Sequence, residues 1–151
     1  MVKVHVWLPD QRNVGHTAMT VGNIYVSFWP EGEAEKKDLK IKRSHPGSFV
    51  EGLMEDIRNE GGRSPITVEL PNLKEDPIID YVIRLQQQVP RYQLARHNCS
   101  HVVARCLIAG ADSGPSFTVH AGGYSKLGKV LGIGVWTPEH VLKFAQELQR
   151  S

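Results

Sequence analysis

YQLARHNCSHVVARC, residues 92–106, decides how the rest of this 151-residue chain is read. It holds both cysteines, Cys99 and Cys106. The stretch opens as strand or turn and becomes a helix at the first of them. Beyond Asn98, the residues Val102, Val103, Cys106 and Leu107 recur at helical spacing, and Gly110 supplies a stop. Asn98 is a good N-cap, so Cys99 takes the first helical position. Backbone N–H groups there lack an intrahelical partner, and the positive end of the helix dipole favours an anion. A thiol so placed has its pKa lowered toward the thiolate. Cys99 is therefore the candidate nucleophile, and Cys106, two turns on, reads as a core thiol. A two-turn rise of about 10 Å exceeds the reach of a disulfide between them.

The bulk numbers suit one domain over residues 1–151 with a real hydrophobic core. A hydrophobic content of 40% with 23% charged residues is ordinary for a globular protein. A net charge of +2 is too small to argue for nucleic acid. Two cysteines outside any disulfide framework suggest a reducing compartment or a catalytic use. The opening MVKVHVWLPD has too short an apolar run for a signal peptide, and nothing approaches a membrane span. The expectation is a cytoplasmic protein, or one exported by a route that needs no signal peptide.

Along the chain, residues 2–8 alternate as a strand closed by Pro9. Gly22-Asn23 between two apolar runs is a hairpin signal. A two-residue turn pairs Val21 with Ile24, Thr20 with Tyr25, Ala18 with Ser27 and His16 with Trp29. His16, Ala18, Thr20, Tyr25, Ser27 and Trp29 then share one face, whereas a three-residue turn would reverse the second strand. Residues 30–37 read as a charged loop and 38–43 as an edge strand guarded by lysines. A helix is expected from Ser48 with Phe49, Leu53 and Ile57 on its apolar side, then a strand at 66–70. Asp76 as N-cap with Pro77 after it opens a helix to about Gln88, carrying Ile78, Ile79, Val82 and Leu85. Residues 111–134 form a glycine-rich loop around one strand at 117–120. Thr137-Pro138-Glu139 then caps a last amphipathic helix. Irregular alternation of strands and helices, with hairpins, gives the α+β class.

A cysteine nucleophile needs a base, and seven histidines are available. His101 lies about 200° around the helix from Cys99. His97 precedes the cap. His16 starts a strand after Gly15, where a backbone can approach another element closely. Cysteine hydrolases pair a helix-borne thiolate with an imidazole from a neighbouring strand. His97, Cys99 and His101 lack a fourth ligand for zinc, so no metal and no cofactor is assigned.

With Tyr92, Leu94, Asn98, Cys99, His101 and Val102 at their observed spacing, the central stretch resembles the cysteine motif of the lecithin–retinol acyltransferase-like proteins. The early strand ending in Val21-Gly22 and the next opening with Tyr25-Val26 resemble that family's histidine strands. This resemblance implies the circularly permuted papain-like fold, relative to cell-wall peptidases of the NlpC type, with an antiparallel sheet packed on the nucleophile helix. The tail VWTPEHVLKFAQEL resembles extensions on bacterial toxin and effector versions of the domain. Phe28 stands where the family places a second histidine, and on the hairpin register Ser27 faces the same side as His16 and can orient it. The expected catalytic set is thus Cys99, His16 and Ser27, with Tyr92, Tyr25, Trp29 and Asn98 on the substrate side.

The function these readings imply is a thiol-dependent hydrolase or transferase acting on an amide bond of a peptide, isopeptide, cell-wall peptide or Gln/Asn side chain. A lipid acyltransferase or phospholipase is the alternative within enzymes, and a catalytically idle binding module the alternative outside them. The sequence shows no hydrophobic anchor of the kind that membrane-working members append, which turns the expectation toward amides. The implied partners are a peptide, protein or cell-wall substrate, with no nucleic acid and no stable membrane anchor. A toxin would add a cognate immunity protein.

Overall fold

Alternating valines in VKVHVW build the centre of the main sheet. In the computed structural model, which describes residues 1–11, 13, 15–31, 46–92, 97–119 and 135–151, this segment is strand β1, Val2–Trp7. The strands that follow are β2 His16–Val21, β3 Ile24–Val26, β4 Phe28–Pro30, β5 Gly47–Phe49 and β6 Ile66–Leu70. Four helices are described: α1 Leu53–Asn59, α2 Glu75–Gln87, α3 Cys99–Gly110 and α4 Pro138–Arg150. β1 pairs antiparallel with β2 and with β6, and β3 extends the sheet beyond β2, giving the order β3-β2-β1-β6. The fold is α+β with an antiparallel sheet.

The period of two sends Val2, Val4 and Val6, with Met19, Val21, Val68 and Leu70 from the neighbouring strands, to one buried face. That face packs against Ile78 and Val82 of α2, Val102, Val103, Cys106 and Leu107 of α3, and Val141, Phe144 and Ala145 of α4. Fully burying each such side chain contributes about 1.5–3 kcal/mol, so this face carries most of the cohesion. The opposite face holds the partners of the odd-numbered residues. There His5 joins the hydroxyls of Thr20 and Thr67 at 2.9 and 3.0 Å, and Trp7 lies opposite His16 in the ladder.

The hairpin register is the one expected at its tip, with Val21 opposite Ile24 and Thr20 opposite Tyr25. It does not run on. The ladder stops at Val26, the Ser27 carbonyl accepts from Val50 N–H at 2.9 Å, and β4 leaves to pair with β5 in a second, two-stranded sheet. Ala18–Ser27 and His16–Trp29 are consequently not ladder pairs.

Three further expectations need correcting. Residues 47–49 form a strand rather than opening a helix, because Phe49 pairs with Phe28 and packs on its ring at 5.3 Å. The helix begins only at Leu53, after extended Gly52. α2 starts at Glu75 with Lys74 as N-cap, ahead of the expected Asp76 cap. Lys74 N–H bonds to the Gly110 carbonyl at 3.0 Å, which fixes the earlier start. Pro77 is tolerated within the first turn, where its missing N–H has no intrahelical duty. Phe117 and its successors to residue 119 are not a strand; Phe117 instead packs beside Trp136 and His140, with Lys143 Nζ 4.5 Å over its ring. The expected strand at 38–43, residue 120 and the glycine-rich segment 122–134 lie outside the described residues, as does Leu94. Among the described residues no helix is long and apolar enough to cross a membrane.

Candidate active site

Asn98 closes the N-terminus of α3 in a reciprocal capping box. Its Oδ1 accepts from His101 N–H at 2.9 Å, while His101 Nδ1 accepts from Asn98 N–H at 3.2 Å. Asn98 Nδ2 also donates to the Trp136 carbonyl at 3.0 Å, tying the cap to the lead-in of α4. Cys99 is therefore held at the first helical position by bonds on both sides of its neighbour. Cys99 is buried. Thr17 on β2 faces this turn, its hydroxyl 3.3 Å from that of Ser100.

His16 is the first residue of β2, and Gly15 sets its approach. Gly15 adopts φ +85, and a Cβ there would stand 2.6 Å from the Trp7 carbonyl oxygen. Only glycine serves at that turn. The strand start then brings His16 beside Cys99, close enough for each to shift the other's ionisation. His97 and His101 do not take this place. His101 is engaged in the cap, and the His97 ring lies against Phe28 at 5.5 Å.

On its other side, His16 Nε2 is 2.8 Å from Ser27 Oγ and 3.4 Å from Asp56 Oδ2. Both of these partners meet the ring at Nε2. Ser27 also lies near Asp56 and helps to keep its carboxyl ionised. A protonated Nε2 thus donates to the serine oxygen, with the Asp56 carboxylate beside it. Asp56 also accepts from Tyr25 hydroxyl on Oδ2 at 2.5 Å and from Trp29 Nε1 on Oδ1 at 2.7 Å. It is fully buried, and so are His16 and Ser27.

Sequence reading missed Asp56. Its signal was a carboxylate three residues after Leu53 within the expected apolar stripe, followed by Glu60 one turn on. α1 in fact turns Asp56 inward and its C-cap Glu60 is buried as well, while Leu53 and Ile57 are only half-buried. Of the residues expected on the substrate side, Tyr25 and Trp29 point their polar ends at Asp56. Tyr92 is buried on the Phe28 ring at 5.4 Å, and Asn98 is the cap described above. Phe28 belongs to this aromatic packing.

The electrostatics follow from the geometry. Burial disfavours charge on His16, but the Cys99 thiolate and the hydrogen bond and charge of Asp56 outweigh it and raise its pKa to about 10. Burial likewise opposes a charged Asp56, and the bonds from His16, Ser27 and Tyr25 overcome it, lowering the carboxyl to about 2. Burial would raise the Cys99 thiol. The charge and hydrogen bond of His16, with the Thr17 backbone N–H and hydroxyl, bring it below its ordinary value instead. Cys106 has no such neighbours, and burial alone pushes it up to about 12. Two thiols on one helix are thus driven in opposite directions, and only Cys99 is prepared as an anion. Among the described residues no three His, Cys, Asp or Glu side chains converge to hold a metal.

No protein-family model, curated protein or solved structure matches this chain.

Proposed function

We propose that the protein is a cysteine hydrolase or acyltransferase of papain-like type in permuted order, with Cys99 as nucleophile and His16 as its acid–base partner. The observation that carries this reading is the buried chain from Cys99 through His16 to Ser27 and Asp56, begun at a helix N-terminus. The order of elements agrees with it, since the histidine strand precedes the cysteine helix.

In the mechanism, the Cys99 thiolate attacks a carbonyl carbon and the oxygen gains negative charge. The N–H groups of Cys99 and Ser100, which find no carbonyl partner within α3, are placed to receive it. His16, held protonated, donates a ring proton to the leaving group as the carbon–leaving-group bond breaks. The neutral imidazole then takes a proton from water, which hydrolyses the thioester and returns Cys99. An amine must be protonated to leave, whereas an alkoxide leaves more readily without it. A histidine that Asp56 helps to keep charged suits the amide better. Amide cleavage or transfer is therefore the first reading, with a peptide, isopeptide or glutamine side chain as substrate.

A panel of matched amide and ester electrophiles, followed by mass mapping, tests it. The expected product is an acyl adduct on Cys99, formed faster from the amide-mimicking set. Adducts from the ester set alone would move the protein to lipid-type acyl transfer, and no adduct from either set would remove the enzyme.

Ser27→Ala is expected to lower kcat around tenfold, about 1.4 kcal/mol in barrier, with KM unchanged. Asp56 still faces His16 in that variant, so the loss is limited. Steady-state kinetics on the best electrophile-derived substrate reads the effect, and an unchanged kcat would make Ser27 a bystander.

A further inference from the structure

His16 meets more aromatic surface than a hydrogen-bonded base requires. Trp29 stacks on its ring with 4.2 Å between centroids and 22° between planes. Trp7, its ladder partner across β1 and β2, lies 5.6 Å away at 36°. Each indole is fixed by its own N–H, Trp29 to Asp56 Oδ1 at 2.7 Å and Trp7 to the Arg63 carbonyl at 2.8 Å. Arg63 is itself anchored to the Leu8 carbonyl at 3.0 Å and to Glu60 at 2.9 Å. Both indoles are nearly shut off from solvent.

A π face within about 6 Å of a cation attracts it, and the attraction grows when water is excluded. A neutral imidazole gains much less from the same rings. We propose that Trp7 and Trp29 are positioning residues that hold His16 as an imidazolium, and that Trp29 also keys the Asp56 carboxylate to that ring. The proposal rests on the reading of Cys99 and His16 as the reacting pair. It replaces the expected substrate contact of Trp29 with a role inside the site. The ionisable groups facing His16 are Cys99 from α3 and Asp56 and Glu60 from α1; Tyr25 from β3 reaches it through Asp56, and Arg63 through Glu60. All of them remain when either tryptophan is replaced, so a change in His16 ionisation reports on the ring or, for Trp29, on its bond to Asp56, and Trp29→Phe separates the two.

The test uses the full chain without substrate. His16 is titrated by NMR, and Cys99 alkylation is followed against pH, in wild type, Trp29→Phe and Trp29→Leu. Loss of the ring in Trp29→Leu is expected to weaken proton binding by His16 about tenfold and to slow Cys99 alkylation at neutral pH. Trp29→Phe, which keeps a π face and loses only the Nε1 donor, is expected to restore most of both. A folded Trp29→Leu that titrates like wild type would overturn the proposal. Should that variant not fold, wild type still decides, because an imidazolium quenches a stacked indole. Tryptophan emission is then expected to rise as His16 loses its proton, in a step that Trp29→Phe diminishes, and absence of the step contradicts the proposal. Neither readout needs turnover, so a failure here leaves Cys99 standing as nucleophile, and an inactive enzyme leaves this test intact.

Discussion

Asp56→Ala is expected to be the most destabilising single substitution in the site. The carboxylate is fully buried, accepts from Tyr25 and Trp29, and lies 3.4 Å from His16 Nε2. Its removal leaves an indole N–H without its acceptor and takes one of two counter-charges from the buried imidazolium, the other being the Cys99 thiolate. Breaking a buried pair from one side costs about 3–5 kcal/mol. Against a total stability of about 5–15 kcal/mol, that is a large share. For a chain of this size the melting temperature falls roughly 10 °C. Asp56→Asn, which keeps an oxygen for the Trp29 donor, should lose less.

The pH dependence of stability carries the same information with a sign. Asp56 has a folded pKa of about 2 against 3.8 for the free group. Its contribution is present above 3.8 and disappears as pH falls through about 2. His16 runs the other way, from 6.5 to about 10. Its contribution is full below 6.5 and is lost as pH rises through about 10. Urea denaturation across pH should therefore show wild type losing stability at both ends. In Asp56→Ala the acid-side loss from this group vanishes, and the alkaline loss starts earlier because His16 binds its proton less tightly. A variant as stable as wild type with an unchanged pH profile would show that Asp56 does not support His16.

The second large effect is on chemistry. Under the proposed function, Cys99→Ala removes the atom that would bond to the substrate, and turnover is expected to fall to the floor of the assay. His16→Ala removes the group that keeps the thiol ionised and protonates the leaving group. A loss of about 10²–10⁴-fold in kcat/KM is the usual range for such a group. Circular dichroism should show Cys99→Ala folded, since Cys99 is a small side chain at a helix end whose cap is made by Asn98 and His101. Retained turnover in a folded Cys99→Ala protein would remove the nucleophile from the account.

What the chain made legible was whatever local chemistry dictates. Asn98 before an apolar helical stripe fixes where α3 begins, and Gly22-Asn23 fixes the register at the hairpin tip. Both depend on a few adjacent residues. The end of β3 was not legible, because it is decided by Val50 capturing the Ser27 carbonyl from more than twenty residues away. Ser27 and Trp29 nonetheless reach His16, through side chains rather than the ladder. Asp56 was hidden for a related reason. An amphipathic pattern built on Phe49, Leu53 and Ile57 treats the carboxylate as a misfit. The actual helix starts later and buries Asp56, because the buried site supplies the donors that carboxylate needs. A tertiary network overrode the periodicity there, and a buried carboxylate in an apolar stripe was the clue.

The claim on which everything else depends is that Cys99 exists as a thiolate beside a protonated His16. Iodoacetamide labelling across pH, with peptide mass mapping of the two cysteines, tests it directly. The account predicts that Cys99 alkylates well below its ordinary pKa of 9.0, while Cys106, pushed up to about 12, stays unmodified until the protein unfolds. In His16→Ala the Cys99 profile should move back toward the ordinary thiol range. Equal labelling of both cysteines at neutral pH, or a Cys99 profile that ignores His16, would contradict it.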